Sequence, residues 1–239
     1  MNVREAVLGR RSVRGFLNRP VGREVIERVL DTARRAPSGG NLQPWRLYAL
    51  AGEPLARLKQ AMSDLARVPA LEQPPMGPSY PRGLHSPYRE RRFENGEQLY
   101  AALGIPREDK PARLRQFARN YQLFDAPVGL FCYIDRRMNP AQYADLGSYL
   151  QTVMLLLHEE GLASCAQGAW SRYPHVVAEV LKPLEELALF CGMAVGYEDP
   201  GEPANALRTV RAPLAEVVDF VGWGEQPETD GEVTRQPEE

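Results

Sequence analysis

Cysteine and histidine are scarce in this chain of 239 residues, with three of each. Cys132, Cys165 and Cys191 form no CxxC pair and sit among apolar or small neighbours. That spacing excludes a zinc ribbon and a disulfide framework, and predicts three buried free thiols. His85, His158 and His175 are scattered, so no local metal-ligand motif is present. Charge of one sign is lacking too. The formal net charge is −2, which gives no basic field for nucleic acid. No apolar run reaches the ~20 residues that a membrane span needs. The opening Asn2-Val3-Arg4-Glu5 is polar and has no hydrophobic leader core. With an odd cysteine count, it sets the expectation of a cytoplasmic protein without membrane or nucleic-acid partners.

What is present is ordinary in bulk and pointed in detail. Hydrophobic residues make up 44% and charged residues 25%, enough for one large domain with a sizeable core. Asn2 and Glu5 predict a capping box opening a short helix. Arg23 to Arg35 carries a helical stripe, Arg46 to Ala51 reads as a strand, and a helix opens at Pro54. Val128 to Ile134 is a continuous apolar strand of the buried kind. Gln142 to Glu160 is the strongest helix, with Gly161 as its C-cap. Pro174 to Leu181 predicts a short helix, Leu187 to Gly196 a strand, and Val217 to Val221 a last short strand.

Four stretches carry chemistry. Arg10-Arg11-Ser12-Val13-Arg14 places three guanidinium groups and a hydroxyl within five residues, a grip suited to phosphate, with a plain basic helix end as the alternative. Pro37-Ser38-Gly39-Gly40-Asn41-Leu42-Gln43 is a tight loop whose two amides suit the polar edge of a heterocycle; a simple helix-to-strand turn is the alternative. Leu162 to Trp170 is a run of small residues around Gln167 and Gly168, which reads either as a close approach for a flat ligand or as a tightly packed connection. Arg208 and Arg211 offer a second anion grip near a turn. Between residues 68 and 113, prolines, aromatics and arginines interleave, with a helical piece from Glu97 to Leu103. This long insertion reads as a lid or interface element. The polar tail, 224–239, reads as disordered.

In this order the parts resemble the FMN-dependent nitroreductase family. The resemblance rests on Arg-Arg-Ser-Val-Arg, then Ala-Pro-Ser-Gly-Gly-Asn-Leu-Gln-Pro-Trp, the central apolar helix, the Gln167-Gly168 loop and the late Arg-x-Pro. It covers about residues 1–68 and 113–223, and the insertion is similar to that of a nitrobenzoate-reductase-like branch. It implies an α+β fold, a mixed and mostly antiparallel sheet flanked by helices, in a single domain over residues 1–223. It also implies an intertwined homodimer that exchanges a C-terminal strand at Val217–Val221. Arg10, Arg11, Ser12 and Arg14 would hold the FMN phosphate and ribityl chain, with Arg211 and Arg208 closing on the phosphate. Pro37, Ser38, Gly39, Asn41 and Gln43 would approach the flavin from the second subunit. Gln167 and Gly168 would face the isoalloxazine, and Asn120 its pyrimidine edge. Tyr80, His85, Tyr88, Arg89 and Phe124 are candidate contacts for a small aromatic substrate.

The implied activity is ping-pong: NAD(P)H reduces the flavin, leaves, and a nitroaromatic or quinone is then reduced. A flavin does the redox chemistry itself, so no catalytic protein side chain is expected. A reductive dehalogenase, a flavin-destructase-like enzyme and a flavin store are the alternatives.

Overall fold

The computed structural model describes residues 1–65 and 80–223. Residues 68–79 of the insertion and the tail expected to be disordered lie outside them. The helices are α1 (Val3–Gly9), α2 (Arg23–Ala33), α3 (Gly52–Leu65), α4 (Tyr88–Ala102), α5 (Lys110–Ala118), α6 (Pro140–Glu159) and α7 (Pro174–Leu181). The strands are β1 (Arg46–Ala51), β2 (Val128–Asp135), β3 (Ala163–Gln167) and β4 (Leu187–Gly196). The chain divides into two compact units, Met1–Arg208 and Thr209–Glu239.

The strands form one antiparallel sheet in the order β1-β2-β4-β3. Helices cover both its faces, which makes the class α+β. β2 is buried along nearly its whole length, as its unbroken apolar run requires. Its Val128, Leu130, Cys132 and Ile134 point into a core shared with α2 and α6. Phe131 and Tyr133 point the other way, into a core with α3, α7 and Trp170. Trp170 is fully buried and lies flush on β4. A Cβ at Gly192 would come within 2.4 Å of its ring, so only glycine fits there.

Helix ends follow local chemistry. Asn2 and Glu5 form the expected capping box on α1. Asn139 caps α6 and Pro140 occupies its first turn. α6 buries Leu146, Tyr149, Leu150, Val153 and Leu157 on one stripe, and Gly161 follows it at φ 73°.

Four expectations change. The insertion helix is longer than Glu97–Leu103: it begins at Tyr88, because the Arg- and Glu-rich stretch before it favours helix without an apolar stripe. Leu162–Trp170 is neither a loop nor a helix connection. It is edge strand β3 followed by the 3₁₀ turn Gly168–Arg172, since pairing with β4 overrides the weak strand preference of Ala and Ser. Phe124 belongs to the core, 2% exposed, and cannot contact a substrate. Val217–Val221 forms no strand. Leu214–Glu216 makes a 3₁₀ turn instead, and the second unit provides no ladder partner among its described residues.

Candidate functional site

The arginine segment leaves α1 and runs along the free edge of β3. Ser12 forms a parallel bridge with Ser164, and the Val13 amide donates to the Ser164 carbonyl at 3.1 Å. Val13 is buried, which locks the segment in place. Asn205, 3% exposed, is its hub. Its side-chain oxygen accepts from the Arg14 amide at 2.7 Å, while its Nδ2 donates to the carbonyls of Gly15 and Asp199, both at 2.9 Å.

The three guanidinium groups differ. Arg11 is neutralised by an ion pair with Glu198 and donates to the Asn205 carbonyl. Arg14 has no carboxylate partner among the described residues; it donates to the Ser12 carbonyl at 3.3 Å. Arg10 has none either, and its Nε is buried without a partner. Two of the three charges are therefore available to an anion. The Cys165 thiol lies beneath them. Burial pushes its pKa up, against the opposite pull of Arg14, the Ser12 hydroxyl and Arg10. Cys132 and Cys191 are likewise free, buried and raised by desolvation, so all three thiols are unreactive.

Four residues along β3 from Ser164, about 13 Å of strand, the chain turns at Gly168. Gly168 is exposed, and a Cβ there would meet nothing within 4 Å. A flat ring can approach this backbone. Gln167 beside it is buried; its Nε2 donates to the Asn120 carbonyl at 2.8 Å and to the Asn120 side-chain oxygen at 3.2 Å, while its Oε1 has no partner. Ala166 and Gly168 border a cavity of about 480 Å³ that reaches Tyr143 on α6.

The Pro37–Gln43 loop is mostly exposed. Gly40, Asn41 and Gln43 take left-handed backbone (φ 56°, 57° and 49°), with the Ser38 hydroxyl accepting from the Gln43 amide at 3.0 Å. The Gly39 amide donates to Asp145 near the start of α6, at 3.2 Å. Arg10 and Arg11 instead border a cavity of about 280 Å³ with Met154 and His158, near the end of α6. Thirteen residues of helix, about 20 Å, separate these anchor points. One chain thus unites the arginine segment with Gly168 along β3, and anchors the loop near the other end of α6 from the arginine segment.

Other expected site residues are engaged locally. Arg208 donates to the carbonyls of Asn205 and Leu207. Arg211 folds onto Thr209 and Val210. Arg89 pairs with Glu90, His85 meets Tyr88 edge-on, and Arg92 covers the Tyr80 ring at 4.2 Å. These lie on the exposed face of the insertion, where Tyr80 and Tyr88 are more than half exposed. Sequence reasoning missed Asn205 and Glu198, which set the arginine segment in place. The one signal was an asparagine in a turn three residues before Arg208.

Comparison with known proteins gives concordant results. A family model described as "Nitroreductase family" matches residues 7–197. A nitrobenzene nitroreductase of Ectopseudomonas oleovorans is 37% identical over 217 residues, 91% of this chain and 96% of that protein. A 4-nitrobenzoate reductase of Pseudomonas putida is 36% identical over 91% of this chain and 94% of its own. The crystal structure of an FMN and NADPH-dependent nitroreductase, NfnB, from sphigopyxis sp. strain HMH superposes with TM-score 0.90 at 44% identity, covering 93% of this chain and 100% of that one.

Proposed function

The chain belongs to the nitroreductase family, and we propose on that premise that it is an FMN-dependent oxidoreductase that uses NAD(P)H to reduce nitroaromatics. The observation that carries this reading is the Ser12–Ser164 bridge. It lays the arginine segment along the strand that ends at Gly168, so an anion grip and an open backbone platform share one edge. The residues fit FMN. Among the described residues Arg10 and Arg14 lack carboxylate partners, Arg10 Nε is an orphaned buried donor, and Gly168 leaves open space where any other residue would put a Cβ. Arg10, Ser12 and Arg14 would hold the phosphate, and Gln167 with Gly168 would border the ring. Arg11, being paired with Glu198, serves the segment's position. FMN, when bound, supplies the two-electron redox chemistry. This chain's residues bind it, orient it and set the charge around it.

A second copy completes the site. α6 leaves Met154, Leu155 and Leu156 incompletely covered, and two antiparallel copies of it would bring one protomer's Pro37–Gln43 loop to the other's arginine segment. The second unit exposes Val210, Leu214, Val217, Phe220, Val221 and Trp223, each at least 60% exposed. Six such side chains need cover, and exchange onto a partner subunit provides it. Arg211 lies in this exchanging segment and would close on the phosphate there. Three free cysteines support a reducing compartment, the cytoplasm. Among the described residues no helix is long and apolar enough to cross a membrane.

The test is an absorbance spectrum of the purified protein followed by anaerobic NADPH, NADH and a nitrobenzoate chase. A flavin spectrum that bleaches and then recovers supports the reading. A flavin that neither nucleotide reduces makes the protein a flavin store, and failure to take up FMN overturns the reading.

A further inference from the structure

Both chain neighbours of Gly168 are tied from behind to one dipeptide. On one side, Gln167 donates to Asn120 through two contacts of 2.8 and 3.2 Å. On the other, the Tyr121 hydroxyl donates to the Ala169 carbonyl at 3.4 Å. Burial pushes Tyr121 up to about 12, so the hydroxyl keeps its proton and stays a donor at neutral pH. The Arg172 charge pulls the other way on this hydroxyl. Trp170 and Tyr173 meet the Tyr121 ring edge-on, at 5.5 and 5.3 Å between centroids, and fix its plane.

Arg172 closes the 3₁₀ turn that Gly168 opens. Its Nε is buried without a partner, and no carboxylate among the described residues pairs with it. This differs from Arg11, Arg113 and Arg119, each of which faces an acid. An arginine that is half-buried and uncompensated raises the local potential, and in a partly desolvated setting that field reaches neighbouring groups only weakly screened. The group it reaches is the Gly168 turn, which it closes.

We propose that Asn120, Tyr121 and Arg172 form a clamp behind the Gly168 turn, which fixes the backbone against the flavin and biases the site toward reduced over oxidised FMN. The proposal rests on the FMN reading above. Reduction adds negative charge to the ring system, so the uncompensated Arg172 charge favours the reduced form. The two bonded neighbours of Gly168 keep its amide from drifting. All three are positioning residues, and the clamp acts through the protein side of the turn.

The experiment uses the FMN-loaded protein and three variants: Tyr121→Phe, Arg172→Gln and Arg172→Lys. The readouts are the FMN midpoint potential and amide hydrogen exchange over residues 166–170. Arg172→Gln is expected to lower the preference for reduced FMN about tenfold, equal to about 30 mV for a two-electron couple. Arg172→Lys keeps the charge and should retain most of that preference. Tyr121→Phe should speed exchange in the turn and lower the preference several-fold. Combined with Arg172→Gln it should lose less than the product of the two, because both act on one turn. If Tyr121→Phe and Arg172→Gln both take up FMN yet keep the wild-type potential within twofold, or if either alone does, the clamp is overturned. If Arg172→Gln does not fold, a potential unchanged in Tyr121→Phe overturns it as well. Failure of the wild-type protein to bind FMN is a different result and sinks the cofactor reading instead.

Discussion

Individual side chains divide into those that bind and those that hold the binders. On the FMN reading Arg10 and Arg14 would be the binders, since among the described residues neither pairs with an acid. Replacing either with Ala should weaken FMN about 10- to 100-fold, the range for losing a charge-assisted hydrogen bond of ~1.5–3 kcal/mol, measured by titrating apoprotein with FMN. Arg11→Ala should act differently, because it frees Glu198 beside the segment; its effect belongs mainly to thermal stability. Asn205 holds the segment through buried bonds on both sides, and Asn205→Ala should cost about 3 kcal/mol in denaturant unfolding. Asp135 gives a pH signature. The Arg137 guanidinium and amide hold its carboxylate at about 2, below the ordinary ~3.9 of Asp. A depressed folded-state value adds stability above the unfolded pKa, and that stability fades as pH falls toward 2. Asp135→Asn should flatten the acid limb of a stability profile between pH 4 and 2, and leave neutral pH little changed beyond the lost ion pair.

Elements decide how those side chains meet. β3 is short, small-chained and at the sheet edge, yet it carries both ends of the candidate site. Its residues could be quoted from the sequence but not recognised as a strand, because Ala-Ser-Cys-Ala-Gln has little strand preference of its own. Pairing with β4 supplies the missing bias. α6 was legible at once, since its apolar stripe and caps are local features. Leu157 is fully buried near the end of that helix, in the core shared with β2 and β4, and the helix also packs against β3. Leu157→Ala should cost about 3 kcal/mol and weaken FMN binding in parallel, whereas a cavity remote from β3 should cost stability alone.

At the scale of the molecule, the proposed dimer is the feature to test. The loop at Pro37–Gln43 and the arginine segment sit near opposite ends of α6. Truncation after Arg208 removes the second unit with its exposed apolar residues. It should give a species of monomer mass in sedimentation equilibrium, with FMN lost on gel filtration. A truncated protein that remains dimeric and yellow would remove the role assigned to that segment.

The class of fold came from the family resemblance; the sequence by itself determined the boundaries of β1 and β4, the capped helix α1 and the chemical character of the arginine and glycine stretches. Each is written in local pattern: alternation, caps, an apolar run, a cluster of guanidinium groups. Tertiary structure alone decided which arginine is free and which is spent on Glu198, because that depends on a partner almost two hundred residues away. It alone moved Phe124 from a candidate contact into the core. It also set Tyr121 against Ala169, where packing brings a hydroxyl from 48 residues away to the turn that Gly168 opens and Arg172 closes.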